Sequence, residues 1–386
     1  MAKNKTNKGQ AFIFSVLGLL VGLAGGAFAS HTLSEKPDSY EIPAKVDANN
    51  TQSGVVGTDF TVDVIKDKEF SIHFMELGNK YTGDSSLIKA GDVEVLIDAG
   101  SKASSVETIY NYAKTYVEGA LDYIIVTHAH EDHYAGFATN KYEDSLFAKF
   151  NIGSGTTIID FAQTTASKKS NKMYLNYESN LAKAVSNGAV HSTCKELVDG
   201  NNDVISLSTN VSMKILKTKF YNEVSTTENN HSVCTLFTNN EHNYLLTGDL
   251  EKEGETSLVS LNTLPQVDVY KAGHHGSKTS SSAELMSVIQ PKEVCVCCCA
   301  GSSEYTKTNA NQFPTQEFIN NVAPYTDSIY VTSLCVDYEK GQFTSMNGNI
   351  IVCSNGGAPT VTYCSNNSIK LKETDWFKAN RTWPTV

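Results

Sequence analysis

The chain has 386 residues, of which 40% are hydrophobic and 19% are charged, and it contains 8 prolines. This length suits one large domain or two ordinary ones, and the composition argues against a wholly disordered chain and against a protein with many membrane spans. The 31 lysines and arginines and the 42 aspartates and glutamates give a net charge of −11. This acidic balance disfavours stable wrapping of nucleic acid by a basic surface.

The first 29 residues have the pattern of an export signal. Residues 1–10 are basic, and residues 11–29 form an uncharged, mostly apolar run that ends in Ala27-Phe28-Ala29, a pattern that signal peptidases accept. The run is also long enough to span a bilayer, so a retained membrane anchor is the alternative to a cleaved signal peptide. In both cases we expect an extracellular or cell-surface protein.

The rest of the chain divides into three parts. Residues 30–57 are polar and contain two prolines, which predicts a flexible linker. Residues 58–335 combine strand-like and helix-like patterns in both halves, which predicts an α/β domain built of layers. Residues 336–386 contain short strand-like runs that predict a small C-terminal β extension.

Apolar runs and helical spacing predict the individual elements in chain order. The predicted strands are 70–77, 86–89, 94–98, 121–127, 204–216, 233–237, 244–247, 267–271, 294–299, 328–332, 349–353 and 360–364. The predicted helices are 104–118, 283–289 and 315–322. The second and third strands flank the turn signal Ala90-Gly91-Asp92 and are expected to form a hairpin.

The strand predicted at 121–127 is followed directly by His128, His130, Asp132 and His133. Imidazoles suit zinc, and a nearby carboxylate can complete the shell of a second ion. An exposed histidine-rich loop is the alternative, but only 10 histidines occur in the chain and three of them follow this apolar strand. The segment therefore predicts a divalent metal site at a strand end.

Two later strands also end at candidate ligands. The strand predicted at 244–247 is followed after one glycine by Asp249, and the strand predicted at 267–271 leads into His274 and His275 within a Gly-His-His-Gly-Ser segment. Together with the HxHxDH motif, these segments resemble the metallo-β-lactamase-fold hydrolases. They are most similar to the ComEC-type competence hydrolase branch of that fold.

The resemblance covers residues 59–332, and the motifs occur in the family's order. The segment Gly83-Asp84-Ser85 and residues 96–100 also resemble the opening hairpin of the branch. The resemblance implies an α/β fold with a metallo-β-lactamase-like αββα four-layer sandwich. It also implies two divalent metal ions, zinc in the first instance, with manganese as the alternative.

By position, the resemblance assigns a role to each motif residue. The implied metal ligands are His128 and His130 for the first ion, Asp132 and His133 for the second, and Asp249 as the bridge between them. His275 is favoured over His274 as the remaining ligand of the second ion, which leaves His274 beside the substrate. In the family's mechanism a metal-bound hydroxide attacks the substrate, and Asp132 orients it and takes its proton.

Three further positions carry open alternatives. Asp98 is expected to support a ligand histidine through a hydrogen bond, with a simple turn residue as the alternative. His231 lies where the family usually has a third ligand for the first metal, so it is either that ligand or a histidine in a solvated loop. Phe313 replaces the histidine that relatives carry before a proline, so the leaving group would be protonated by His274, Tyr305 or solvent.

With the resemblance, the sequence predicts an exported metal-dependent hydrolase of phosphodiester or phosphate ester substrates. Outside the cell these would be small-molecule or polymer esters, either DNA fragments or cell-wall polymers, and the acidic chain favours small or wall-bound esters over long DNA. The alternative is a non-catalytic metal-binding protein that retains the fold for binding or scaffolding. It is disfavoured because every residue expected to activate water is present. A structural zinc protein would need closed cysteine-rich sites, and the cysteines here lack that spacing.

Overall fold

The computed structural model describes residues 62–385. The predicted signal or anchor at 1–29 and the predicted linker at 30–57 lie outside these residues. Within the described range, none of the helices combines the length and the hydrophobicity needed to cross a bilayer.

Two eight-stranded sheets form the centre of the fold. The strands are β1 (Phe70–Phe74), β2 (Ser86–Ala90), β3 (Val93–Ile97), β4 (Tyr123–Val126), β5 (Thr157–Asp160), β6 (Val190–Thr193), β7 (Val204–Ser206), β8 (Val211–Leu216), β9 (Cys234–Asn239), β10 (His242–Leu246), β11 (Val269–Lys271), β12 (Glu293–Ala300), β13 (Ile329–Asp337), β14 (Gln342–Ser345), β15 (Ile350–Ser354) and β16 (Thr360–Cys364). The first sheet has the order β16-β15-β1-β2-β3-β4-β5-β6, and the second has the order β14-β13-β12-β11-β10-β9-β8-β7.

The two sheets pack face to face through apolar and aromatic side chains. Phe70 of β1 lies with its ring centroid 4.6 Å from that of Tyr244 of β10 and 6.3 Å from that of Phe237 of β9. All three residues are fully buried. Contacts of this kind between inner faces are the ordinary way in which two sheets share one core.

Helices cover the outer faces of both sheets. They are α1 (Val62–Lys66), α2 (Ser105–Ala113), α3 (Glu131–Tyr134), α4 (Leu146–Lys149), α5 (Ala166–Lys169), α6 (Lys172–Ser186), α7 (Cys194–Asp199), α8 (Lys252–Leu261), α9 (Ala283–Ile289), α10 (Gln316–Val322) and α11 (Asp375–Asn380). Helices α2, α4 and α6 contribute to the core of the first sheet, and α8, α9 and α10 bury Leu258, Leu285 and Ile319 against the second. The layer order is therefore helix, sheet, sheet, helix, and the predicted fold class is confirmed.

The predicted elements agree with the structure most closely where the hydrophobic pattern is strong. The helix at 283–289 has the predicted bounds. The predicted hairpin of β2 and β3 also forms, and β1 pairs with the other edge of β2. The single strand predicted at 204–216 is two strands, β7 and β8, which pair with each other in an antiparallel hairpin. Residues 207–210 connect them, and the polar residues 208–210 form the turn.

The C-terminal part of the chain joins both sheets. Strand β13 crosses the boundary predicted between residues 335 and 336, and β14 pairs with it at the edge of the second sheet. Strand β15 pairs with β1 and extends the first sheet, with β16 outside it. The β extension predicted for residues 336–386 therefore includes strands that lie within the main sheets.

Candidate metal centre

The candidate site lies where the carboxyl ends of four strands meet. Strands β3 and β4 are parallel neighbours in the first sheet, and β10 and β11 are parallel neighbours in the second. Parallel neighbours present their carboxyl ends at the same edge of a sheet. The predicted site residues follow these four ends, so the topology brings separate sequence segments together.

Four side chains converge at the centre of this site. Nε2 of His133 lies 3.1 Å and Nε2 of His275 lies 3.3 Å from Oδ2 of Asp249, and Oδ2 of Asp132 lies 3.4 Å from Nε2 of His275. His133, His275 and Asp249 are buried, and among the described residues both Nε2 atoms and Oδ1 of Asp249 make no hydrogen bond. Buried polar atoms normally have a partner, so this arrangement fits a bound divalent cation.

The charges of these groups also favour a cation. Burial alone would raise the pKa of Asp249, but His133 and His275 hold it well below its usual range. Burial alone would lower the pKa of both histidines, but the carboxylate of Asp249, with Asp98 beside His133 and Asp84 beside His275, raises both pKa values. The positive charge that balances these carboxylates is carried by protons on the two histidines. A divalent ion would replace those protons, because metal binding releases protons from the ligands.

His128 and His130 form a second pair beside this centre. Nε2 of His128 lies 3.0 Å from Nδ1 of His130, and Nδ1 of His128 lies 3.1 Å from Oγ1 of Thr127. Burial lowers the pKa of both histidines, which keeps the rings neutral at pH 7 and their lone pairs available for a metal. The structure thus brings together the two histidines predicted for the first ion.

His231 is not brought into the cluster. Its Nε2 accepts a hydrogen bond of 2.9 Å from the backbone N–H of Ser225, and its Nδ1 lies 3.7 Å from Oε2 of Glu228. The short 3₁₀ turn Glu228–His231 turns this fully buried ring toward the Glu228 side. The structure therefore places His231 outside the cluster and buried, not in a solvated loop, and its role as a first-metal ligand stays a prediction.

His274 and His275 occupy different environments although they are adjacent. His275 is fully buried and aims Nε2 at the centre, whereas the side chain of His274 is 20% exposed and its Nε2 lies 3.9 Å from Oδ2 of Asp249. Nδ1 of His274 lies 2.8 Å from Oγ1 of Thr279. Both residues have left-handed backbones, with φ of 46° and 55°, a strain that proteins keep mostly at functional sites. This geometry favours His275 as the ligand and His274 as the residue that faces a substrate.

The sequence reasoning missed an ion pair behind His275. Nζ of Lys271 bonds to Oδ2 of Asp84, and Oδ1 of Asp84 lies 3.2 Å from Nδ1 of His275, which also donates to the carbonyl of Cys297 at 2.8 Å. Potential ligand atoms of Asp84, His133, Asp249 and His275 lie within 4.8 Å of one another, with Asp84 on the Nδ1 side of His275. The available signal was a lysine inside the apolar strand β11, since a buried lysine needs a counter-charge.

One further loop closes the mouth of the site. We name residues 301–315, between β12 and α10, the rim loop. Tyr305 of the rim loop donates a 2.7 Å hydrogen bond from its hydroxyl to Oδ2 of Asp132, while 55% of Tyr305 remains exposed. The ring centroid of Phe313 lies 5.7 Å from that of His274 and 6.0 Å from that of His275. A substrate that reaches the centre would therefore meet Tyr305 and Phe313.

Asp98 is placed to support a ligand histidine. Its Oδ2 accepts a 2.7 Å hydrogen bond from Nδ1 of His133, and its two oxygens accept from the backbone N–H and the hydroxyl of Thr127, each at 2.8 Å. Its backbone φ is 61°, so it is in the left-handed region, which asparagine tolerates. The substitution Asp98→Asn should therefore keep the backbone and lower metal affinity by about 10- to 100-fold, because the single uncharged oxygen of asparagine cannot accept from both His133 and the backbone N–H of Thr127. Competition with a chelator measures this loss, and unchanged affinity would contradict the supporting role.

Comparisons with known proteins find similarity to the metallo-β-lactamase superfamily and to two curated proteins. Residues 78–139 match the family model described as the metallo-beta-lactamase superfamily. Recombination protein 2 of Haemophilus influenzae is 41% identical over 71 residues, which is 18% of this chain and 9% of that protein. ComE operon protein 3 of Bacillus subtilis is 42% identical over 65 residues, which is 17% of this chain and 8% of that protein. The matched segments thus span less than a tenth of either curated relative.

Several solved structures are similar at low sequence identity. The metallo-beta-lactamase fold protein YhfI from Bacillus subtilis is 12% identical, with a TM-score of 0.40, and covers 69% of this chain and 97% of its own. Unliganded yeast PDE1 is 12% identical, with a TM-score of 0.39, and covers 69% and 87%. The family match and the two curated relatives confirm the resemblance of the motifs: the chain carries the metallo-β-lactamase fold and is similar to the ComEC-type branch.

Proposed function

We propose that the protein is an exported metal-dependent hydrolase of phosphodiesters or phosphate esters. The observation that carries the proposal is the convergence of Asp132, His133, Asp249 and His275 on one point, with the His128 and His130 pair beside it. When bound, two divalent ions would lower the pKa of a coordinated water and offset the negative charge of a phosphoryl group. Zinc suits this histidine and carboxylate donor set, and manganese is the alternative.

Three side chains around the metal centre would bind the substrate and transfer protons. Burial alone would raise the pKa of Asp132, but His275 and His133 hold it well below its usual range, so Asp132 is a carboxylate at neutral pH. Its Oδ2 would orient the attacking water and accept its proton. Burial lowers the pKa of His274, so its neutral Nε2 at the partly exposed mouth would contact the substrate. The hydroxyl of Tyr305 is the proton donor nearest to Asp132 in the rim loop.

The substrate class follows from the charge of the site and of the chain. A metal centre carries its own positive charge and can hold a phosphate within an acidic protein. The net charge of −11 disfavours long DNA, because each phosphate along it would meet a like-charged surface. DNA fragments and esters of cell-wall polymers remain the two candidate substrates, and the export that we propose would bring the protein to either one.

The first experiment measures metal content and turnover of the full chain. Zinc and manganese are added separately, and bis-p-nitrophenyl phosphate is the substrate. We expect about two metal ions per chain and turnover that a chelator removes. The substitution Asp132→Asn should lower kcat by at least about 100-fold. The matched control Asp268→Asn, in a pair with His242 outside the site, should leave kcat unchanged.

A different result would favour the binding protein. Metal without turnover of phosphodiester, ester or lactam probes would indicate a non-catalytic metal-binding protein that retains the fold. That alternative rests on two departures, since His231 faces Glu228 and Phe313 stands beside the two site histidines without a proton to donate. Neither metal nor turnover would overturn the metal-dependent function altogether.

A further inference from the structure

The rim loop is held from behind by one buried side chain. Nε of Arg381 donates to the carbonyl of Pro314 at 2.8 Å, and Nη2 donates to the carbonyls of Asn309 and Gln312 at 3.1 and 2.7 Å. Nη1 donates to Oδ1 of Asn309 at 3.1 Å. Arg381 is 7% exposed, so these hydrogen bonds come from a largely buried charged group, and hydrogen bonds of charged groups are stronger than neutral ones.

The segment that carries Arg381 is itself fixed to the body of the domain. Leu371 and Phe377 are buried in the core of the second sheet, and Lys370 bonds to Oδ1 of Asp327 at 2.6 Å. The guanidinium of Arg381 lies 5.0 Å from the ring of Trp376. Because this segment is packed into the core, Arg381 connects the rim loop to the folded body of the second sheet.

The opposite side of the rim loop touches the metal centre. Tyr305 bonds to Asp132, and Phe313 packs against His274 and His275. A Cβ atom at Gly301, where the rim loop begins, would lie 2.5 Å from Nε1 of Trp376. The C-terminal segment therefore packs against the start of the rim loop, and Arg381 bonds near its end.

We propose that Arg381 is a positioning residue of the active site, which holds the rim loop so that Tyr305 and Phe313 face the substrate. This inference rests on the proposed function. Five donors in a rigid plane allow arginine to bond to several carbonyls at once, whereas lysine offers one point charge. Loss of this network would leave the ligands of the metal in place and displace the residues that contact the substrate.

The test uses the full chain and two independent measurements. The first is the rate at which a lysine-specific protease cleaves after Lys307, which is exposed within the rim loop. We expect Arg381→Gln to raise this rate at least about fivefold, because the loop opens locally more often. The control Lys378→Gln removes an exposed charge from α11, the helix that ends just before Arg381, and should leave the rate unchanged.

The second measurement is the kinetics of bis-p-nitrophenyl phosphate hydrolysis. We expect Arg381→Gln to lower kcat/KM roughly tenfold, since a displacement of about 1 Å can cost that much or more. Metal content should not change. If Arg381 acts through Tyr305, adding Tyr305→Phe to Arg381→Gln should cause little further loss, so the two effects should not add.

Each contrary result would overturn the proposal in a distinct way. Wild-type protection of Lys307 in Arg381→Gln would show that the loop is held by other contacts. Faster cleavage at Lys307 with unchanged kinetics would mean that Arg381 stabilises the loop but does not position the active site. Fully additive effects of Arg381→Gln and Tyr305→Phe would lead to the same conclusion. If Arg381→Gln does not fold, Arg381→Lys replaces it, and wild-type behaviour of that variant would contradict a role for the planar guanidinium. If the wild-type chain shows no turnover, the proposed function fails, and the protease result alone decides whether Arg381 holds the loop.

Discussion

Replacement of Asp249 by asparagine should remove most of the bound metal and lower turnover of bis-p-nitrophenyl phosphate by about a thousandfold. Oδ2 of Asp249 lies within 3.9 Å of Nε2 of His133, His274 and His275, so it is the one carboxylate shared by all three histidines. Asparagine keeps the shape of the side chain but removes its charge. The backbone N–H of residue 249 would still donate to Oγ of Ser232, so the local fold should persist.

Metal content by mass spectrometry and steady-state kinetics measure this effect together. Asp268→Asn again serves as the control, because Asp268 is also a buried aspartate with a histidine partner. Two metal ions retained in Asp249→Asn would contradict the bridging role. Loss of metal in the control as well would show that the assay reports unfolding and not ligand removal.

The substitution Lys271→Met should lower the free energy of unfolding of the metal-free chain by about 3–5 kcal/mol. Methionine fills a similar volume but leaves the carboxylate of Asp84 buried without its lysine, with Nδ1 of His275 as the nearest remaining partner. The side chains of Lys271 and Asp84 are 3% and 2% exposed, so water cannot replace the lost partner. Burial alone would raise the pKa of Asp84, but Lys271, followed by His275, lowers it, which indicates that the carboxylate stays charged in the folded chain.

Urea unfolding of the chelated protein measures this loss. The double variant Asp84→Asn with Lys271→Met should recover most of the stability, because neither partner then leaves a buried charge. Lys340→Met provides the control, since the side chain of Lys340 is 71% exposed in its pair with Asp337 and such surface pairs contribute little to stability. A loss of less than about 1 kcal/mol in Lys271→Met would mean that Asp84 takes up a proton in the variant.

Much of the fold could be predicted because its signals are local. The helix at 283–289 follows from apolar spacing over two turns, and the β2–β3 hairpin follows from a turn signal between two apolar runs. The motif histidines were found for the same reason, since they directly follow strand ends. The amphipathic helix α6 was missed, because polar residues dominate its sequence and only four of its fifteen residues are buried.

The rest of the site depends on partners that are distant in the sequence. The pairing of Asp84 with Lys271 joins two sheets, and no period or spacing connects the two positions. The direction of the His231 ring depends on a 3₁₀ turn and on Glu228, which the motif pattern does not describe. Arg381 lies in a stretch with no regular pattern, and its role is visible only from the loop that it contacts.

The pairing of β1 with β15 means that the first sheet can be completed only after the residues near 350 have been synthesised. Residues near 70 hydrogen-bond to residues near 350, so one edge of β1 stays unpaired on a growing polypeptide until the residues near 350 have left the ribosome. Contacts between such distant positions form late and slow the folding of a chain. Arg381 and β16 follow later still. We therefore expect metal loading to be a late event in the biogenesis of the protein, and fragments that end before residue 350 to remain unfolded.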